Sequence, residues 1–246
     1  MDDQAFRNNV QTIQGLRIYF GHQSVGRNIL DGLRQLLIQT DAKGLNIVHL
    51  EDTTQLPGSF LAEGSVGRNS YPDTKCDGFA HTVRTRFGDS LNIAMMKFCY
   101  VDITAATDVK ATFDKYRSTI DGLKQSFPRT SFVHVTAPLM IRRPWKQFVK
   151  MLLGRAGSPD LENAKRSDFN SLLVKQYADD PVFDLAKVES TYPDGTRCSF
   201  EFDGKTSYAM VSRYSSDGGH LNEEGQRRAA WELVRVLAET AKGRKR

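Results

Sequence analysis

Short apolar runs and amphipathic stretches alternate along the whole chain. "LRIYF" (16–20) predicts a first strand, and residues 24–40 a helix with Val25, Ile29, Leu33, Leu36 and Leu37 on one face. "LNIVHL" (45–50) predicts a second strand, followed by a polar, glycine-containing loop and a shorter helical segment near 76–87. "LNIAMMKFCYVDI" (91–103) is almost unbroken apolar, as a strand buried on both faces of a sheet should be. A helix over 107–126 leads to a fourth strand, "SFVHVTAPL" (131–139), which Pro138 stops. A helix over 160–178, a short fifth strand "VFDLA" (182–186) and a helix over 222–241 complete the order. Asn222 suits the N-cap of that last helix, with Glu223 and Glu224 in its first turn. The alternation predicts an α/β fold, a five-stranded parallel sheet with helices on both faces and right-handed crossovers.

No composition shift marks a domain boundary, so the expectation is a single domain over 1–246. Two segments interrupt the alternation. In "RRPWKQFVKMLLGR", Trp145, Phe148, Val149 and Leu152 recur at i, i+3, i+4 and i+7, with Lys146 and Lys150 on the other side. That insertion, 140–159, predicts a helix packed on the body or acting as a lid, favoured over a basic amphipathic face resting on a membrane or glycan. The other insertion, 187–214, reads as a β-hairpin with Asp-Gly turns at 194–195 and 203–204.

Composition changes this picture little. The 34 basic and 29 acidic side chains leave a formal charge of +5, part of it in the tail "KGRKR". That excess suits weak contact with an anionic or membrane surface and does not call for nucleic acid. Cys76, Cys99 and Cys198 are too few and too scattered for a disulfide framework or a zinc site. Cys99 reads as buried, whereas Cys76 and Cys198 could pair only if the fold brings them together. The opening "MDDQAFRNNVQ" is polar and carries no signal-peptide pattern, which favours a cytoplasmic protein. A secreted chain whose leader has been removed reads identically.

Two stretches bear on chemistry. "GHQSVG" (21–26) lies in the first strand-to-helix turn, where Ser24 could cap the helix or be displayed beyond the carboxyl edge of the sheet. "YSSDGGHLNEEG" (214–225) places Asp217 three residues before His220, just ahead of the last helix. A histidine acts as general base when a carboxylate fixes its tautomer and orientation, and a D-x-x-H turn supplies that pair in one loop. In a sheet ordered 2-1-3-4-5, the loops after the first and last strands share an edge, which brings Ser24 within reach of His220.

With these two blocks the sequence resembles the SGNH hydrolases, the GDSL-like esterase superfamily. "HQS" stands where that family has "GDS", and "DGGH" matches its last block. The resemblance implies a flavodoxin-like three-layer sandwich and a serine esterase or acyltransferase with Ser24 as nucleophile, His220 as base and Asp217 as orienting acid. It also implies that no metal or organic cofactor is needed. An ester substrate follows, small-molecule or glycan, with a carbohydrate O-acyl ester as the family-level expectation.

One block departs from the family. "FCYVD" (98–102) puts Val101 where the oxyanion-binding asparagine is expected, and valine cannot donate a hydrogen bond. The substitutes are in "GSVGRNSYPDTK" (64–75), where Gly67 could supply a backbone N–H and Asn69 its amide, unless the stretch is only a polar turn around Pro72. His22 and Tyr100 are candidates for contact with substrate, although a histidine in a tight turn is more often a structural hydrogen-bonding residue. Asp102 could also line the pocket, and His134 reads as a core histidine. His49 and His81 carry no signal. Asn163, Arg166 and Asn170 share one helical face and either cap a loop or reach substrate, the first being favoured. The departure at Val101 keeps a second class open, a catalytically impaired domain that binds glycan or protein. A phosphate cradle at 21–26 is the weakest reading, because the stretch lacks the glycine density and lysine of a P-loop.

Overall fold

The computed structural model describes residues 2–52, 55–142 and 159–244. Six parallel strands form the central sheet: β1 (Arg17–His22), β2 (Ile47–His49), β3 (Phe60–Ser65), β4 (Ile93–Met96), β5 (Ser131–Val135) and β6 (Val182–Phe183), in the order β2-β3-β1-β4-β5-β6. Helices α1 (Asp3–Ile13), α2 (Val25–Gln39) and α7 (Glu223–Gly243), with the short α6 (Leu185–Ser190), pack on one face. On the other face lie α3 (Pro72–Thr82), α4 (Val109–Ser126) and α5 (Pro159–Gln176). The result is the expected α/β three-layer sandwich. β1 and β4 sit in the middle and are buried on both faces, which is why their sequences run apolar without alternation.

Three elements were absent from the sequence-based expectation: β3, α1 and the short α6. β3 adds a sixth strand, inserted between β1 and β2, and pairs with β1 from Arg17–Phe60 to His22–Ser65. Glu63 and Gly64 make that segment look like loop, but Glu63 is buried because His22, His49 and Arg34 all contact its carboxylate. α1 opens on Asp2, whose side chain accepts from the Gln4 N–H, and buries Phe6, Val10 and Ile13 against α7. Three apolar residues at helical spacing suffice for this helix, and a polar composition hid them.

Other boundaries moved. The apolar run 91–103 leaves the sheet after Met96 and continues as a buried loop, with Phe98 edge-on to Phe169. The helical segment placed at 76–87 starts earlier, with Pro72 in its first turn, and ends as α3 at Thr82 before a single π-helical turn, Val83–Phe87. The hairpin is shorter than 187–214, because residues up to Ser190 belong to α6. Its strands, β7 (Ser199–Phe202) and β8 (Lys205–Tyr208), are joined at Asp203-Gly204, both with positive φ, as a type I′ turn demands. The turn at Asp194-Gly195 closes a separate loop bridged by Thr191 and Arg197. The helix read from Trp145 to Leu152 lies outside the described residues. All three cysteines are free, so Cys76 and Cys198 do not pair. Among the described residues, no helix is long and apolar enough to cross a membrane.

Candidate active site

β1 ends at His22, and two residues later the chain turns into α2 through Ser24, whose φ of 53° and ψ of −109° are costly for a residue with a Cβ. Such a conformation persists only where the surroundings enforce it. Gly26 allows that turn to lie close, since a Cβ there would come within 2.4 Å of the His22 ring. The Ser24 hydroxyl makes no helix-capping hydrogen bond. Instead its Oγ lies 2.6 Å from Nε2 of His220.

The His220 ring is held from behind. Its Nδ1 lies 2.6 Å from Oδ2 of Asp217, while Oδ1 of Asp217 accepts the backbone N–H groups of Gly219 and His220, both at 2.8 Å. The Gly219 N–H above all, together with the N–H and ring of His220, outweighs a desolvation cost and holds the Asp217 carboxyl far below the usual carboxylate range. An ionised Asp217 accepts a hydrogen bond from Nδ1–H and so keeps the proton on Nδ1, leaving Nε2 with a lone pair facing the serine hydroxyl. The loop is tied to α2 by Asn28, whose Oδ1 accepts the Leu221 N–H. Beyond it Asn222 caps α7, accepting the Gly225 N–H, as its sequence position suggests.

A cleft of about 440 Å³ opens on this constellation, lined by residues that include His22, Ser24, Arg27, Glu63, Asn69 and His220. Asn69 therefore faces the same space as Ser24. Its Oδ1 accepts from Lys75 Nζ at 2.9 Å. Gly67 does not line the cleft: with φ of 57° it turns the chain, and its carbonyl accepts from the Gln23 amide at 2.7 Å. Tyr100 also stands outside the lining, with its ring edge-on to His220 at 5.6 Å.

His22 is buried at the cleft floor, with Nε2 3.0 Å from Oε2 of Glu63. Desolvation lowers the pKa of His22, against the opposing pull of its hydrogen bond to Glu63. Desolvation pushes the Glu63 carboxyl up, but hydrogen bonds and charge from His22 and His49 outweigh it and hold the pKa at about 2. Thus His22 is a structural hydrogen-bonding residue that also borders the cleft. Glu63, Lys75 and Arg27 escaped sequence reasoning. The available signal for Lys75 was its place on the apolar stripe of α3, with Cys76, Phe79 and Ala80.

The asparagines and arginine of α5 cap a loop. Asn170 exchanges two hydrogen bonds with the backbone of Ala137, and Asn163 does the same with Met140. Arg166 donates twice to the carbonyl of Tyr100. Cys99 is buried beside the site, its thiol 3.6 Å from the Gln23 carbonyl. No group of metal-ligating side chains exists among the described residues.

This architecture is the SGNH-hydrolase fold. The chain is similar to a carbohydrate esterase family 3 protein from Talaromyces cellulolyticus (TM-score 0.54, 11% identity, 93% of this chain and 99% of that one). It is also similar to a candidate SGNH hydrolase from Slackia heliotrinireducens (TM-score 0.52, 15% identity, 91% and 99%). A third similar structure is a candidate platelet activating factor from Streptococcus pneumonia (TM-score 0.54, 12% identity, 96% and 92%). By sequence alone, no family model and no curated protein matches.

Proposed function

We propose that the protein is a serine esterase, a divergent SGNH hydrolase that cleaves or transfers an acyl group held in ester linkage. The observation that carries this reading is the unbroken line from Ser24 Oγ through the His220 ring to Asp217, each step 2.6 Å. Ser24 Oγ attacks the ester carbonyl while His220 Nε2 takes its proton, and the resulting imidazolium is stabilised by the Asp217 carboxylate. The tetrahedral oxyanion is met by the Asn69 side-chain amide and the opening backbone N–H groups of α2, at Ser24 and Val25. Gly67 contributes by turning the loop that carries Asn69. His220 then returns the proton to the leaving alcohol, and water or an acceptor hydroxyl, activated by the same ring, releases the acyl group from Ser24.

The cleft is open and polar, which suits a carbohydrate O-acyl ester. The likeness to a carbohydrate esterase supports that substrate class. Fluorophosphonate labelling of the intact protein tests the reading. Wild type should label at one site, and Ser24→Ala and His220→Ala should not. Val101 supplies no oxyanion donor, so a folded wild type that stays unlabelled would favour a glycan- or protein-binding domain without turnover.

A further inference from the structure

Lys75 is fully buried, and so is the side chain of Asp102, whose Oδ2 lies 2.7 Å from its ammonium. A charged pair in that position is expensive to desolvate and is weak evidence for stability. Its other contacts say more. The Asp102 carboxylate also accepts the N–H of Ser70 at 2.8 Å and of Cys99 at 2.6 Å, tying the loop after β3 to the loop after β4. The Lys75 ammonium makes a second contact, to Oδ1 of Asn69.

We propose that Lys75, with Asp102 as its counter-ion, is a positioning residue that orients the Asn69 amide as the oxyanion donor absent at Val101. This rests on the serine-esterase reading above. An ammonium can only donate, so the amide atom facing it must be the oxygen, and Nδ2 is the atom left for the cleft. A hydroxyl, which can donate or accept, would leave the amide free to flip. The ammonium also draws electron density from the amide and strengthens Nδ2–H as a donor. Asp102 occupies the last position of the same "FCYVD" block that lost its asparagine to Val101. The block thus still serves the oxyanion site, at one remove.

The test is a mutant cycle read with p-nitrophenyl acetate turnover and the rate of fluorophosphonate labelling. Asn69→Ala should lower kcat roughly 100- to 1000-fold with little change in KM. Lys75→Met should lower kcat roughly 10- to 100-fold, part of the whole loss of that donor. In an Asn69→Ala background, Lys75→Met should cost little more, because its effect runs through the amide. Losses that multiply in the double variant, or a folded Lys75→Met with wild-type kcat, would overturn the proposal.

A second variant leaves the buried pair intact. Asn69→Asp keeps an oxygen against Lys75 and removes the donor, so it should melt no lower than wild type yet lose as much kcat as Asn69→Ala. Near-wild-type turnover in Asn69→Asp would overturn the proposal alone, with serine chemistry intact. A wild type that neither labels nor turns over would overturn the underlying reading, and this proposal with it.

Discussion

Among the described residues, two hydroxyl–imidazole–carboxylate lines share the same kinds of group and differ in their surroundings. At the cleft, Ser24, His220 and Asp217 are linked at 2.6 Å per step. Below β5, Tyr116 OH lies 2.9 Å from Nδ1 of His134, whose Nε2 lies 3.3 Å from Asp180. His134 is fully buried, stacked at 3.6 Å on Tyr177, and Asp180 is already paired with Lys124. There, desolvation drives the imidazole pKa down to about 4, and the ring serves only to satisfy polar groups in the core. The cleft line has a partly exposed histidine, a serine held in a strained turn and the Asn69 side chain lining the same space. On the proposed reading, what separates the two lines is access and donors for the developing charge, since both carry a hydroxyl, an imidazole and a carboxylate.

Breaking the cleft line should give the largest effects. Ser24→Ala should reduce turnover of an activated ester on the order of 10⁶-fold and abolish fluorophosphonate labelling, in a protein with an unchanged melting temperature. Asp217→Asn should follow, with a loss on the order of 10⁴-fold, because an amide cannot hold Nδ1 in its protonated tautomer. Tyr116→Phe makes the corresponding cut in the core line. It should leave turnover within about twofold of wild type and cost on the order of 1–3 kcal/mol in thermal unfolding, since His134 loses a buried partner. A comparable loss of activity there would erase the distinction between the two lines.

The smallest effect concerns pH. The folded-state pKa of His134, about 4, lies below the ordinary 6.5. Between these values the unfolded chain binds a proton that the folded chain refuses, so this component of stability is full above 6.5 and declines as pH falls towards 4. His134→Gln should remove a slope approaching one proton over that window in chemical denaturation curves. An unchanged slope would mean that His134 does not titrate as its burial requires.

Much of this was legible in one dimension. The succession of strands and helices follows from apolar periodicity, and Ser24, Asp217 and His220 stand out because their loops flank the first and last crossovers. β3 was not legible, because a carboxylate and a glycine inside six residues resemble a loop unless the partners of Glu63 are known. Nor was the partner of the Ser24 hydroxyl, since a helix N–H and the His220 ring are equally open to it from the sequence.

Local spacing by itself determined most of the elements, the D-x-x-H turn and the candidate serine, because each depends on neighbours within a few residues. Only the tertiary structure decided which polar groups meet. Glu63 finds His22, Ser24 finds His220 and Lys75 finds Asp102 across gaps of 27 to 196 residues. Those meetings are set by sheet order and loop placement, and the cost of burying an unpaired charge or donor is what makes them obligatory.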